Sequence, residues 1–348
     1  MKTKRYKKNV LIKTIIKKNL IKTKNNNRNK NTINYGKYNN FISKGFYLLI
    51  IIIIIQLILN VHLFKRIKHN VNNNIDDIEL NYIKVKFEEI EPNILLQIQD
   101  KLEGIIEMEP EERKFFNGVI RKYRPKKVVE IGVAQGGSSA LILNAIKDIP
   151  NAKLFSIDRS NVWYKDHSKK VGWLVKERFK YLMDKWTLYT DINTAEVIET
   201  IGNNIDLVLI DTVHATPGEM LNWLEVLPFL KEEAIVVFHD TYLMFYKNFI
   251  TRNIINYSNN QLFNYIRGKL ILPTYGDKTF KRNIGALKLY KNQKKYYKLY
   301  FLALGTQWQY FPSEKDMTIL KEYFKKYYGE ELTKIYSDAI EQNKERFK

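Results

Sequence analysis

The chain has 348 residues, a formal net charge of +21 and no cysteine. The absence of cysteine excludes disulfides, thiolate metal sites and a cysteine nucleophile. Residues 1–45 hold 14 lysines and arginines and no acidic residue, so the rest of the chain carries only 21 − 14 = +7. The positive charge therefore belongs largely to an N-terminal tail, and we expect no nucleic-acid interface on the folded domain.

The first 90 residues predict a tail, a membrane anchor and a linker. Residues 1–45 are rich in lysine, asparagine and isoleucine, which is typical of a disordered segment. Residues 46–64 contain no charged side chain over a length that crosses a bilayer core. We predict a single-pass transmembrane helix there, followed by a polar linker at 65–90. The alternative is a hydrophobic segment that docks on a partner.

Residues 91–125 predict an N-terminal helical cap. Apolar side chains recur at helical spacing in Asn93–Met108 and again in Glu111–Tyr123. Pro125 disfavours continuation of the second helix. We expect both helices to pack on the core.

The stretch Lys127–Ser139 reads K-V-V-E-I-G-V-A-Q-G-G-S-S. Its β-branched run, Val128–Ile131, predicts a buried parallel strand. Gly132 and Gly136 allow a tight turn and close approach of a ligand, and a helix starting near Ser138 offers free N–H groups. The spacing E-x-G-x-x-x-G-G-S differs from the dinucleotide pattern G-x-G-x-x-G.

An alternation of strands and helices follows this loop. The predicted strands are Val128–Ile131, Lys153–Ile157, Trp186–Thr190, Ile205–Ile210 and Ala234–Phe238, with late strands at Ile284–Tyr290 and Tyr296–Leu304. The predicted helices are Ser138–Ile146, most of Trp163–Trp186, Ala195–Ile201 and Pro217–Leu227. The fold class is α/β, a doubly wound, mostly parallel Rossmann-like sheet with late antiparallel strands, preceded by the transmembrane helix. The domain would span 126–312 with a lid at 242–283, and C-terminal helices would occupy 313–348.

Polar residues stand at or just past the carboxyl ends of five predicted strands, where doubly wound sheets bind ligands. They are Glu130, Asp158, Asp191, Asp211, His214, His239 and Asp240. We therefore expect one ligand site built from all five strand ends.

The runs I-D-L-V-L-I-D-T-V-H and L-P-F-L-K-x-x-A-I-V-V-F-H-D-T, with the glycine loop, resemble class I S-adenosylmethionine-dependent methyltransferases. They are similar to a subgroup that O-methylates sugars and related small molecules, over about Val128 to Thr241. The resemblance implies S-adenosylmethionine as cofactor, with Asp158 at the ribose and Asp191 near the adenine. The full set of cofactor-binding residues that it implies is Glu130, Gly132, Val133, Ala134, Gly136, Gly137, Ser138, Asp158, Arg159 and Asp191.

The resemblance also implies a second half of the site. In the sugar enzymes, the positions of Asp211 and of the pair His239-Asp240 bind Mg²⁺, but His239 departs from the acidic pattern. Since a histidine ligand favours metals such as Mn²⁺, we predict a divalent metal, Mg²⁺ or Mn²⁺, on Asp211, His239 and Asp240. His214 stands where a catalytic base is expected, with Asp211 as the second catalytic residue. An unperturbed histidine is mostly neutral at cytosolic pH and can accept a proton.

The predicted function is O-methylation of a sugar or other small hydroxylated acceptor, such as a unit of a surface glycan. The alternatives are a metal-independent methyltransferase and a binding or scaffold protein without turnover; the loop spacing counts against an NAD-dependent oxidoreductase. The basic tail favours a cytoplasmic N-terminus and so an external domain. Because the cofactor is cytosolic, we nevertheless expect the domain on the cytoplasmic side of the membrane. The sequence leaves open whether the chain forms a homo-oligomer.

Overall fold

The computed structural model describes residues 83–85, 98, 101–102, 104–241, 265–273 and 283–347. All of them belong to the unit Glu79–Lys348. No helix within these described ranges is long and apolar enough to span a membrane. The predicted tail at 1–45, the anchor at 46–64 and most of the lid at 242–283 lie outside the described residues, so they stay predictions.

The described residues form ten strands and seven α-helices. The strands are β1 (Ile83–Val85), β2 (Lys127–Ile131), β3 (Lys153–Asp158), β4 (Val162–Trp163), β5 (Asp166–Lys170), β6 (Trp186–Thr190), β7 (Ile205–Ile210), β8 (Leu230–His239), β9 (Gly268–Pro273) and β10 (Ile284–Leu289). The helices are α1 (Pro110–Tyr123), α2 (Gly137–Ile146), α3 (Trp173–Arg178), α4 (Thr194–Ile201), α5 (Gly218–Val226), α6 (Tyr297–Ala303) and α7 (Glu314–Phe347). The last is interrupted at Gly329, whose φ of 81° is not helical.

Eight strands form one sheet in the order β1-β9-β10-β8-β7-β2-β3-β6. Strands β2, β3, β6, β7 and β8 run parallel, whereas β10 is antiparallel to both β8 and β9. The predicted mostly parallel, doubly wound sheet with a late antiparallel pair is confirmed. The order of the strands reverses between β2 and β7, and ligands bind in the crevice at such a switch point.

Helices cover both faces of the sheet because the apolar side chains of its central strands alternate between two cores. Val129 and Val208 belong to a core formed with α4, α5, α6 and α7. Val128 and Leu207 belong to a second core formed with α1, α2 and α3. Strands buried on both faces read as continuous apolar runs, which is why the sequence predicted them well.

Several predicted elements differ from the structure. Trp163–Trp186 is mostly not helical: it contains the hairpin β4–β5, the six-residue α3 and a 3-10 helix. Its hairpin leads to Gly172, at φ 71°, where a Cβ would come within 2.6 Å of the Trp186 ring. The glycine therefore lets this segment turn against the sheet, which a continuous helix would not do.

Further differences lie outside the central strands. Strand β1 (Ile83–Val85) pairs with β9 although it lies in the segment predicted to be a linker at 65–90. Tyr296–Leu304 forms α6 rather than a strand, because Tyr300, Phe301 and Leu304 bury one helical face. Besides β8, β10 pairs antiparallel with β9, which comes from the segment that was predicted to be a lid. Before α1, residues 104–108 are not helical, so the predicted Asn93–Met108 helix does not reach Met108.

Candidate active site

A cavity of about 940 Å³ opens at the carboxyl ends of the parallel strands. Its walls include the segments that follow β2, β3, β6 and β7, together with His239 at the end of β8. The walls also include residues 106–108 and 310–313 together with Val171, Asp316 and Leu320. A single cavity of this volume is large enough for a cofactor and a small second substrate.

The glycine loop lies against the turn that follows β7. A Cβ on Gly132, whose φ is 92°, would lie 1.8 Å from the backbone oxygen of Asp211. The Gly132 N–H donates to the Ile157 carbonyl and the Asp211 N–H donates to the Ile131 carbonyl, both at 2.9 Å. Glycine is therefore needed here for the close packing of two neighbouring strand ends.

Asp158 anchors the same loop. Its Oδ2 accepts hydrogen bonds from the N–H groups of Val133 and Ala134, at 2.9 and 3.1 Å, and its Oδ1 accepts from Ser160. Asp158 lines the cavity together with Gly132, Val133, Ala134, Ser138 and Arg159. The structure thus brings six of the ten predicted cofactor residues to one wall.

The other four predicted cofactor residues do not line the cavity. Glu130 is fully buried and accepts hydrogen bonds from Ser138, Ser139 and Ser156 at 2.5–2.6 Å. Burial raises the pKa of Glu130 to about 7, against the opposing effect of the three serine hydroxyls. This carboxyl ties β2 to α2 and β3.

Close packing explains Gly136 and Gly137, and a local hydrogen bond explains Asp191. A Cβ on Gly136 or Gly137 would meet Gly172 or Ile106 within about 3 Å. Asp191 is exposed and accepts a hydrogen bond from Asn161. In its place, Ile192, Asn193 and Thr194 supply the cavity wall after β6.

Two histidines form the centre of the other half of the cavity. His214 Nδ1 lies 2.9 Å from Glu219, and its Nε2 lies 2.9 Å from Asp240 and 3.7 Å from Asp211. His239 is buried between Glu112 of α1, 3.2 Å from Nε2, and Asp211, 3.3 Å from Nδ1. The predicted group Asp211, His214, His239 and Asp240 is therefore brought together, with Glu112 and Glu219 as additional partners.

These carboxylates change the protonation of both imidazoles. Burial lowers the pKa of His214, but hydrogen bonds to Asp240 and Glu219 outweigh it and raise the pKa well above its usual value. For His239 the effect of burial is likewise outweighed, by the charge of Asp211 and the bonds to Asp211 and Glu112. The pKa of Asp240 is lowered to about 2, because the histidines outweigh its burial. The raised pKa values favour the protonated form of both rings, unlike the neutral base expected from the sequence.

Asp211, His214 and Asp240 each offer one ligand atom, and these atoms lie within 4.8 Å of one another. This group differs from the predicted one, because His214 takes the place assigned to His239. Two carboxylate oxygens and one imidazole nitrogen form a donor set that fits a divalent cation when the His214 ring is neutral.

Several cavity residues were not predicted from the sequence. They are Glu107, Tyr164, Asn193, Thr194, Asn222, Glu225, Tyr310 and Asp316. Asn193 begins the run N-T-A-E and forms a capping box with Glu196, a pattern that the sequence does contain. Asn222 and Glu225 are polar residues three apart on a mostly apolar helix that also carries Glu219, which is a weaker signal. Asp316 binds Arg159 at 2.7 Å, a pairing across 157 positions that no local pattern reveals.

Residues 129–241, about a third of the chain, match a family model described as a methyltransferase domain. No curated protein matches the chain. Among solved structures, the O-methyltransferase TomG from Streptomyces achromogenes is 15% identical with a TM-score of 0.40, covering 58% of this chain and 91% of its own. An O-methyltransferase from Bacillus cereus is 13% identical with a TM-score of 0.41, covering 56% and 89%. The methyltransferase PaMTH1 from Podospora anserina is 12% identical with a TM-score of 0.41, covering 66% and 96%.

Proposed function

We propose that this chain is a class I S-adenosylmethionine-dependent methyltransferase that methylates a hydroxyl of a sugar or other small hydroxylated acceptor, a proposal supported by the methyltransferase-domain match over residues 129–241. The observation that carries the proposal is the continuity of the cavity. Its walls join the loop after β2 to Asp211 and His214 after β7. One ligand bound along the loop and a second at the histidines would meet inside it.

The reaction would be an in-line displacement. An acceptor oxygen attacks the methyl carbon, the carbon–sulfur bond breaks, and the sulfonium leaves as a neutral thioether. The hydroxyl proton must be removed, and we assign it to His214 with Asp211 beside it. Because the neighbouring carboxylates raise the pKa of His214, the ring becomes a base only when it has released its own proton. Holding oxygen, carbon and sulfur in line would supply most of the remaining acceleration.

A divalent metal is the alternative to proton removal by His214, because an imidazole nitrogen that binds a metal cannot also accept a proton. Asp211, His214 and Asp240 would hold this metal, and it would lower the pKa of the acceptor hydroxyl so that the proton can leave to water. The surplus of carboxylates around the histidines supports this assignment. One imidazole among the ligands favours Mn²⁺ over Mg²⁺.

The choice of a sugar-like acceptor is supported by the polar groups at the mouth of the cavity. Tyr164, at the tip of the β4–β5 hairpin, donates a hydrogen bond to Glu107 at 2.6 Å, and both line the cavity. Carboxylates accept hydrogen bonds from sugar hydroxyls, and aromatic rings cover their apolar faces. We further propose that residues 46–64 hold the chain at a membrane with the domain on the cytoplasmic side, where a glycan precursor would be reached.

The proposal is tested in two steps on the full chain. Titration with S-adenosylmethionine should show binding and titration with NAD should not; the reverse result would refute the cofactor assignment. Labelled methyl from S-adenosylmethionine is then offered to fractionated cell glycans and lipids. Label in a glycan fraction supports the acceptor class, whereas label confined to other fractions contradicts it.

A further inference from the structure

We propose that the surface around α3 docks on an anionic lipid membrane, which places the mouth of the cavity beside the bilayer. This surface, which we call the basic face, consists of the exposed side chains of residues 163–185 together with Lys101. The inference goes beyond the proposed function, because it concerns a surface outside the active site and does not depend on the reaction.

The basic face carries an excess of positive charge. Residues 163–185 contain seven lysines and arginines but only three acidic residues. The side chains of Lys170, Lys176 and Lys180 are exposed, and none of the three forms an ion pair with a carboxylate of the described residues. Positive charges that no carboxylate of the protein neutralises are available to an anionic surface.

Large side chains with apolar surface are also exposed on the basic face. Tyr181 is 62% exposed and Met183 is 41% exposed, and both lie in the 3-10 helix Lys180–Lys185. Leu182 between them is buried, so the core holds this turn while its two neighbours stay in contact with water. Tyrosine and apolar side chains next to lysines are typical of surfaces that lie in the headgroup region of a bilayer.

Direct contacts join the cations and the aromatic rings into one surface. Lys169 Nζ lies 4.7 Å from the centre of the Trp173 ring, and the Arg178 guanidinium lies 5.9 Å from the same ring. Arg178 also donates a hydrogen bond to the Lys101 carbonyl at 3.0 Å. Lys101 Nζ in turn lies 5.8 Å from the centre of the Tyr181 ring. The groups of the basic face are therefore contiguous.

The basic face continues to the mouth of the cavity. Trp163 packs on Trp173 with 5.9 Å between the ring centres, and the next residue, Tyr164, lines the cavity. Tyr164 donates to Glu107 at 2.6 Å, and Lys165 forms an ion pair with the same carboxylate. A membrane in contact with the basic face would therefore lie beside the opening through which an acceptor enters.

An anionic bilayer fits this combination of side chains better than a nucleic acid does. Each lysine or arginine close to an anionic leaflet adds to the attraction. The interface of a bilayer also takes apolar side chains such as Met183 out of water. The phosphate backbone, which dominates the affinity of proteins for nucleic acids, offers no apolar surface for Met183.

The absence of cysteine allows the membrane-facing surface to be measured with a single introduced thiol. In the full chain, Met183→Cys and Tyr181→Cys are each labelled with an environment-sensitive fluorophore, and Leu302→Cys is the matched control. Leu302 is likewise exposed, at 56%, but it lies on α6, which packs on the opposite face of the sheet.

The labelled chains are reconstituted with vesicles of phosphatidylcholine, with or without phosphatidylglycerol, whose brominated acyl chains quench the fluorophore. Quenching is expressed per chain that floats with the vesicles. Attachment through residues 1–64 alone therefore gives no difference between the probe positions.

We expect the two probes on the basic face to be quenched at least about threefold more than the control probe, and only with phosphatidylglycerol present. Combining Lys176→Gln with Lys180→Gln should reduce this quenching to the level of the control probe, because two cations near the leaflet are lost. Lys315→Gln with Lys321→Gln is the matched charge control. Both of these lysines are exposed on α7, and the change should leave the quenching unaltered.

Several results would overturn the inference. They are equal quenching of all three probes, equal quenching with and without phosphatidylglycerol, and quenching that survives the loss of Lys176 and Lys180. A larger response of the two basic-face probes to duplex RNA than to the vesicles would assign the surface to a nucleic acid instead. The two probe positions guard against a folding defect in one labelled variant, which a thermal melt reveals.

Titration of the same samples with S-adenosylmethionine tests the proposed function separately. If the cofactor does not bind but the basic-face probes are quenched as expected, the proposed function fails and the docking surface stands. If the cofactor binds and the probes show no preference, the docking surface fails and the proposed function stands.

Discussion

Glu219 holds His214 by two hydrogen-bonding contacts to one oxygen. Its Oε1 accepts from the His214 backbone N–H at 2.9 Å and lies 2.9 Å from Nδ1 of the same residue. Glu219 is fully buried, and His214 has a left-handed backbone with φ 51°. The pair fixes both the turn and the ring, so that Nε2 points to Asp240 and Asp211. Glu219 therefore has a positioning role, because its contacts are to His214.

Replacing His214 should separate catalysis from cofactor binding. In His214→Ala, kcat for label transfer should fall by about 10²–10⁴-fold because the base is removed. The dissociation constant of S-adenosylmethionine should stay unchanged. Glu219→Gln keeps the oxygen but loses the charge, and it should lower kcat by about tenfold or more. Equal loss of kcat and of cofactor affinity in either variant would point to misfolding instead.

The pH dependence of the wild-type rate should follow His214. Because the neighbouring carboxylates raise the pKa of His214 above its usual value, the protonated ring, which cannot accept a proton, persists to higher pH than in an unperturbed histidine. The rate should therefore rise with pH through an inflection above 6.5. Initial rates of label transfer between pH 5.5 and 9 test this, and a plateau already reached below pH 6.5 would contradict it.

Metal binding should depend on Asp211, His214 and Asp240. Calorimetric titration of the full chain with Mn²⁺ alone should show one site, and Asp240→Asn or His214→Gln should weaken it by about tenfold or more. Asp206→Asn is the control, because Asp206 binds Lys126 and Lys127 at the opposite end of the sheet. If His239→Gln weakens binding as much as His214→Gln does, the ligand set predicted from the sequence is the better one.

Gly132 should tolerate no side chain. In Gly132→Ala, the new Cβ would lie 1.8 Å from the Asp211 carbonyl oxygen, so two central strands must separate. We expect a loss of about 3 kcal/mol or more in the free energy of unfolding. Gly104→Ala is matched, since Gly104 has φ 72° but open space around it, and it should cost only about 1–2 kcal/mol. Equal losses in chemical denaturation would show that the backbone angle alone matters.

The strand ends could be predicted because two local signals coincide there. Apolar β-branched runs mark strands buried on both faces, and Asp158, Asp211 and Asp240 follow three of them. Parallel strands share one carboxyl edge, so such side chains must converge. Neither Glu112 nor Glu225 could be found in this way. Glu112 meets His239 across 127 positions, from a helix whose pattern indicated packing alone.

The elements that were predicted wrongly also depend on contacts between residues that are distant in the sequence. Tyr296–Leu304 is rich in aromatic residues that favour strands, but its structure is decided by contacts with α7, such as Phe301 against Phe324 at 5.2 Å. Likewise, Glu130 ends a strand beside the loop and was predicted to bind cofactor. No local pattern identifies its partners, the hydroxyls of Ser138, Ser139 and Ser156. Only the fold brings them to the Glu130 carboxyl.

Glu130 should affect stability rather than cofactor binding, and pH separates the two. Burial raises its pKa from 4.5 to about 7 in the folded chain. The folded state therefore holds the proton more tightly, and this contribution to stability is present below pH 4.5 and lost as pH rises through 7. The difference between these two pKa values corresponds to about 3 kcal/mol in the free energy of unfolding. Glu130→Gln has no carboxyl to titrate and should lack this pH-dependent contribution.

The measurement is the free energy of unfolding of wild type and Glu130→Gln between pH 4.5 and 8. The advantage of wild type over the variant should shrink steadily with rising pH, because Glu225, which has a similarly raised pKa, titrates equally in both proteins. S-adenosylmethionine affinity of Glu130→Gln should stay within about threefold of wild type, since all three hydroxyls can still bond to the amide. If the two unfolding curves run parallel with pH and Glu130→Gln loses most of its affinity for S-adenosylmethionine, Glu130 binds the cofactor as the sequence predicted.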